Sequence, residues 1–142
     1  MNLGTGKSRN DSAAIEFNFE KFCPEGQGDE ICFEIGEIIY GLDGELSIKL
    51  YNRESKLKSS LFFSSPLAIR IANEGSLMEY WNNGLIVGKH NLLVATTSPF
   101  LKWLEKSSSG VHSEGAVKHY AIFSDDVCLE VLSSEQPVLL NP

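Results

Sequence analysis

No stretch of the chain approaches the roughly 20 consecutive apolar residues that a membrane-spanning helix needs, which argues against such a helix. The first residues, MNLGTGKSRNDS, lack the apolar centre of a signal peptide, so the cytoplasm is the expected compartment and no membrane partner is expected. Cysteine is scarce. Cys23, Cys32 and Cys128 are an odd set without paired spacing, which excludes a disulfide framework and reads as reduced thiols. The three histidines, His90, His112 and His119, fall in a turn, a loop and a strand, without the spacing that places imidazoles on one metal, so no metal or cofactor is expected. Basic residues are also in short supply. Twelve Lys/Arg against 19 Asp/Glu give a net charge of −7, the wrong sign for a protein that neutralises nucleic-acid phosphates.

Catalytic signatures are missing in the same way. There is no Gly-x-Ser-x-Gly elbow, and none of the cysteines has the electropositive setting that holds a thiolate, so no catalytic residue is assigned and a non-enzymatic role is favoured. Gly4-Thr5-Gly6-Lys7-Ser8 copies the end of a phosphate-binding loop. It lacks the leading glycine and the strand before it, and Ser8–Ser12 is poorly helical, so chance similarity in a flexible terminus is the better reading.

What the chain does have is alternation. Ile15, Phe17 and Phe19 interleave with polar residues at the two-residue period of a half-buried strand, and Ile31, Phe33 and Ile35 repeat the pattern after the turn formers of 23–29. Gly36 breaks the register as a bulge would, since Ile38 and Tyr40 fall out of phase with Ile35. Further runs at Glu45–Tyr51 and Lys56–Phe63 extend a meander. Leu67–Ile71 alternates like a strand while Ser65-Pro66 before it has the form of a helix N-cap and first helical residue; strand is the favoured of the two readings. Ser76-Leu77-Met78-Glu79 has capping-box spacing and opens a short helix through Trp81. Leu85–Val87 and Leu92–Thr96 read as a strand pair. Ser98-Pro99 starts the clearest helix, with Phe100, Trp103 and Leu104 as its buried stripe and Ser107–Gly110 as its stop. Val117–Phe123 and Val127–Leu132 form a hairpin. With a three-residue loop, His119 shares a face with Ala121, Phe123, Val127, Leu129 and Val131 and is a hydrogen-bonded core histidine. A tail around Val138–Leu140 packs back as an extended piece. The expected architecture is α+β: a mainly antiparallel sheet, N-terminal meander plus C-terminal hairpin, with two short helices on one face. Residues 1–13 read as a flexible lead-in and 14–142 as a single domain.

Charge is unevenly placed. Residues 11–45 carry ten acids against Lys21 alone, whereas 46–142 balance nine against nine. If the first two strands pair, Glu16, Glu20, Glu30 and Glu34 share an outward face, with Glu25 and Asp29 in the connecting loop and Lys49 on the third strand as a neighbouring cation. A field of this kind steers a basic protein partner. Small acidic bacterial immunity proteins, which mask basic toxins, offer an analogy of size and charge that no motif carries. A solvated sheet face explains the same pattern. The competing expectation is an enzyme or small-ligand pocket between sheet and helices, near Arg70, Trp81, Trp103 and His119. Glu74 and Glu79 are candidate partners for Arg70, and Asp125-Asp126 with Glu130 needs no more than a turn to explain it.

Overall fold

The computed structural model describes residues 16–24, 32–73, 78–85, 90–110 and 116–140. The first thirteen residues, the first-strand residue Ile15 and the loop acids Glu25, Asp29 and Glu30 lie outside them.

The meander forms where the alternation places it. Strands β2 (Phe33–Tyr40), β3 (Leu46–Asn52) and β4 (Lys58–Phe63) pair antiparallel in sequence order, and the register shifts between Ile35 and Glu37, so Gly36 is the site of the bulge. The β2–β3 turn depends on Gly44, whose φ of 87° suits a residue without Cβ, and on Gly41 N–H donating to the Glu45 carbonyl. Phe33, Leu46, Ile48, Leu50, Leu61 and Phe63 all point to one side and are buried there.

The opposing side of that core is a second sheet. It contains β1 (Glu20–Lys21), β5 (Ala68–Asn73), β6 (Leu92–Ala95), β7 (Lys118–Phe123) and β8 (Val127–Ser133). Its order is β1-β6-β7-β8-β5, against β9-β4-β3-β2 in the first sheet, where β9 is Val138–Leu140. All pairings are antiparallel. Leu92, Tyr120, Ile122, Leu129 and Val131 meet the meander's apolar face in one cluster, so the single sheet expected from sequence is in fact two stacked layers. Each fully buried Leu, Ile or Phe in that cluster contributes about 1.5–3 kcal/mol through removal from water.

Asn91 joins the layers. Its side chain is buried, with Oδ1 accepting from Phe33 N–H at 2.8 Å and Nδ2 donating to the carbonyls of Phe33 and Phe123 at 2.9 and 3.2 Å. A side-chain amide thus supplies the donor and acceptor that a neighbouring strand would otherwise give.

Helices cover the outer face of the five-stranded sheet. Between β5 and β6, α1 (Met78–Trp81) is one turn, and between β6 and β7, α2 (Pro99–Ser107) runs nine residues, so the two expected helices reduce to a single short one and a turn. The chemistry of α2 is legible. Ser98 caps it by accepting from Leu101 N–H, Pro99 occupies the first turn, Lys106 sits in the last turn, and Gly110 closes it at a φ of 82° with its N–H on the Glu105 carbonyl. Phe100 and Leu104 are buried on it, but Trp103, expected in the same stripe, is half exposed. No helix among the described residues is long and apolar enough to cross a membrane.

Two pairings differ from the expected ones. Glu20–Lys21 pairs with Val94–Leu93 on β6 rather than with the strand that starts at Phe33, so the acidic hairpin does not form. Leu92–Ala95 accordingly has β1 and β7 as its neighbours, and the proposed partner run 85–87 lies largely outside the described residues. The β7–β8 hairpin pairs Phe123 with Cys128 and closes around Asp125-Asp126, a two-residue loop. One residue fewer in the loop turns β8 over relative to β7. His119 therefore shares its face with Ala121, Phe123, Cys128, Glu130 and Leu132, while Val127, Leu129 and Val131 lie on the other.

Candidate functional site

Of the acids that were to form one face, the three described ones, Glu16, Glu20 and Glu34, are dispersed. Glu16 belongs to an irregular segment that follows the end of β6: Asn18 Oδ1 accepts from Thr96 and Thr97 N–H, and Glu16 bonds Lys102 on α2 at 2.9 Å, which lowers its carboxyl pKa. Glu20 is on the edge strand of the five-stranded sheet. Glu34 is on the other sheet, at the end of β6 where Asn91 sits. There it pairs at 2.8 Å with Arg53, which also contacts Asp125. Those two carboxylates raise the guanidinium pKa. Lys49, expected to offset the acids, stands opposite Glu37 in register, and Arg53 is the cation that serves Glu34.

What remains acidic and contiguous is β2 with its turn. From Phe33 to Glu45 there are four acids, Glu34, Glu37, Asp43 and Glu45, and no Lys or Arg. At the tip, Asp43 Oδ1 accepts from Glu45 N–H at 3.1 Å, and the neighbouring Asp43 carboxylate raises the Glu45 carboxyl pKa. Ile39, Tyr40 and Leu42 are exposed beside them. β2 is the outermost strand of its sheet.

A second constellation lies under α2, where the corrected hairpin register brings residues from four elements together. Arg70 on β5 stands opposite Glu130 on β8, which stands opposite Ala121 on β7. Arg70 donates through Nε to Glu130 Oε2 at 2.8 Å and through a terminal nitrogen to Oε1 at 2.9 Å, a bidentate pair. Tyr80 from α1 donates to Oε1 at 3.0 Å. Among the described residues the Arg70 partner is thus Glu130; Glu74 and the Glu79 side chain, the expected candidates, lie outside the described set. His119 Nε2 lies 2.9 Å from Oε1, a close approach outside the N–H direction, and its Nδ1 is 2.7 Å from Ser98 Oγ. Ser98 Oγ accepts from Leu101 N–H and also faces His119 Nδ1, so the serine hydroxyl joins the helix cap to the imidazole.

The electrostatics follow from burial and from these partners. Burial alone would raise the Glu130 carboxyl, but His119 and Arg70 outweigh it and hold its pKa down at about 2. Burial pushes the His119 pKa down, so the ring is neutral near pH 7. Burial and the adjacent Glu130 charge push the Tyr80 hydroxyl up. Arg70 is desolvated in part, yet Glu130 raises its pKa further.

Ser98, His119 and Glu130 have the composition of a hydrolytic triad, but the geometry gives them other work. Ser98 and His119 are 0% exposed, and the serine oxygen is committed to the cap of α2. A nucleophile has to reach its substrate. Phe100 packs into this cluster: the Arg70 guanidinium sits 4.3 Å over its ring, and the His119 and Trp103 rings lie 5.4 and 5.5 Å from it. Three of the four pocket residues, Arg70, Trp103 and His119, therefore converge around this side chain. Trp81 ends α1, and its side chain is outside the described set.

Among the described residues no cluster of His, Cys, Asp and Glu could hold a metal, and the three cysteines are free. Fold and site together define, among the described residues, an antiparallel two-layer β protein with one short helix, which covers one outer face while no described element covers the other. Searches of protein-family models, curated proteins and solved structures find no match to this chain.

Glu130 was assigned only a turn role from sequence. The signal that identifies it is shared with Arg70: AIRIA and VCLEVL are strands with a single charge each, of opposite sign, in otherwise apolar runs.

Proposed function

We propose that the protein is a binding module for a basic protein partner, acting in the cytoplasm and docking on β2 and the turn that follows it. The observation that carries this reading is the combination on that edge of three acids outside any ion pair among the described residues, Glu37, Asp43 and Glu45, and three exposed apolar side chains, Ile39, Tyr40 and Leu42. Charge of one sign steers an oppositely charged partner and sets its orientation, while exposed apolar residues supply contact area once it arrives. The mutual repulsion of Asp43 and Glu45 favours the arrival of a cation between them. A cytoplasmic setting accords with the free cysteines, one of which, Cys23, is exposed.

The test is affinity capture from the source cell with the protein and with the triple variant Glu37→Lys, Asp43→Lys, Glu45→Lys. A basic protein retained by the native chain and by Glu16→Lys, but lost by the triple variant, supports the reading. Equal retention by the triple variant, with its circular dichroism unchanged, refutes it.

A further inference from the structure

The outer face of the four-stranded sheet carries an asymmetry that a protein-docking edge does not use. Two grooves of about 360 and 370 Å³ share Tyr51 and Lys58 as lining residues. The first is lined by Lys49, Tyr51, Lys58 and Ser60, with Leu140 as its apolar wall. The second is lined also by Arg53, Lys56, Asn52 and the acidic residue Glu34. In a chain of net charge −7, residues 49–58 carry four Lys/Arg against Glu54 alone.

These cations are not equivalent. Arg53 is committed to Glu34 and Asp125. Lys49, Lys56 and Lys58 pair with no carboxylate among the described residues, although Glu37 stands opposite Lys49 in register. Lys58 instead lies over the Tyr51 ring, 5.7 Å from its centroid. The ring owes its position to the bulge: a Cβ on Gly36 would come within 2.3 Å of Tyr51 Cε2. Glycine there lets the ring lie close against β2, at the boundary of both grooves. Lys56, with a φ of 65°, sits in a turn fixed by the Asn52 side chain, whose Oδ1 accepts from Glu54 and Ser55 N–H.

We propose that the groove between Lys49 and Lys58 binds a phosphate monoester carried on a flat ring. Two unneutralised ammonium groups in one groove match the charge of about −1.5 to −2 on such a phosphate, whereas a carboxylate would balance only one of them. Ser60 supplies a hydroxyl for the remaining oxygen. The ring finds a face on Tyr51 and an apolar edge on Leu140. The volume lies at the small end for ligand sites, which suits a compact ester. The acid-rich remainder of the surface turns anions away and leaves this face as the place where they gather.

The experiment titrates phenyl phosphate into the full chain at low salt and follows amide shifts by NMR. Saturable binding is expected, with the largest shifts at Lys49, Tyr51, Lys58 and Ser60. The double variant Lys49→Gln, Lys58→Gln should bind about tenfold more weakly, each lost charge contact accounting for a roughly threefold share. Lys102→Gln, on the other sheet's helix, should leave affinity unchanged. Inorganic phosphate and benzoate, each missing half of the chemistry, should bind several-fold more weakly than phenyl phosphate. A nucleoside monophosphate that outcompetes phenyl phosphate supports the site and names the source of the ester, whereas a hexose phosphate that outcompetes it overturns the role of the flat ring. Absence of saturable binding, or equal affinity in the folded double variant, overturns the proposal. Equal affinity for inorganic phosphate overturns the role of the ring. None of these outcomes bears on the protein partner of β2, since Glu37, Asp43 and Glu45 line neither groove.

Discussion

Two oppositely charged pairs stand directly across from one another on neighbouring strands, one on each sheet. Arg70 and Glu130 occupy the outer face of the five-stranded sheet, and Lys49 and Glu37 the outer face of the four-stranded one. The first is a bidentate pair with Glu130 almost fully buried; the second makes no contact short enough to be an ion pair. The difference is the cover. Phe100 of α2 and Tyr80 of α1 close over the first pair, so its partners find each other in place of water, whereas solvent satisfies the second pair at no cost in side-chain freedom. Charge on a strand becomes structural only when something is laid over it.

The comparison can be broken most severely at Glu130. Replacing it with Gln leaves Arg70 and Tyr80 without their acceptor charge and should cost about 3–5 kcal/mol, read as a lowered urea midpoint. A loss under about 1 kcal/mol would place the buried pair on the same footing as the exposed one.

Acid titration sharpens it next. The folded carboxyl of Glu130 titrates at about 2, below its ordinary value of 4.5, so its stabilising contribution is complete above pH 4.5 and is lost as the pH falls toward 2, on the order of 3 kcal/mol in all. His119 is also depressed, and its contribution begins to fade earlier, as the pH drops below 6.5. Unfolding free energy measured from pH 7 to 3 should fall in both windows, and Glu130→Gln should remove the lower one.

The smallest effect belongs to the exposed pair: Glu37→Gln or Lys49→Gln should change stability by less than about 0.5 kcal/mol. A larger change in either would show an energetic link across β2 and β3 that distance does not reveal.

The strands themselves were legible because alternation states which residues share a face, and the Gly36 bulge, the Ser98 cap and the Val138–Leu140 tail all follow from local chemistry; at β5 alternation and the Ser65-Pro66 helix-start signal competed, and the strand formed. Partnership was less so. A short connection suggested that Phe17–Phe19 and Phe33–Ile35 pair, yet Asn18 and Phe22 bond to the β6 strand instead. Alternation is blind to which neighbour a strand chooses. The buried cluster was missed through one residue of loop length. A two-residue turn at Asp125-Asp126 sends Glu130 to the helix-covered outer face beside His119, where a three-residue turn would have sent Leu129. His119 as a hydrogen-bonded core residue was read correctly; its companions were not.

Asn91 carries a consequence for how the molecule comes apart. Its one side chain holds both polar groups of Phe33 on one sheet and the carbonyl of Phe123 on the other. Peeling β2 away from the stack would therefore strand a buried amide on β6's flank, and loosening the β7–β8 hairpin would do the same from the opposite side. Neither layer can open cheaply on its own, so slow amide hydrogen exchange at Phe33 should report the same cooperative unit as exchange in the heart of the five-stranded sheet.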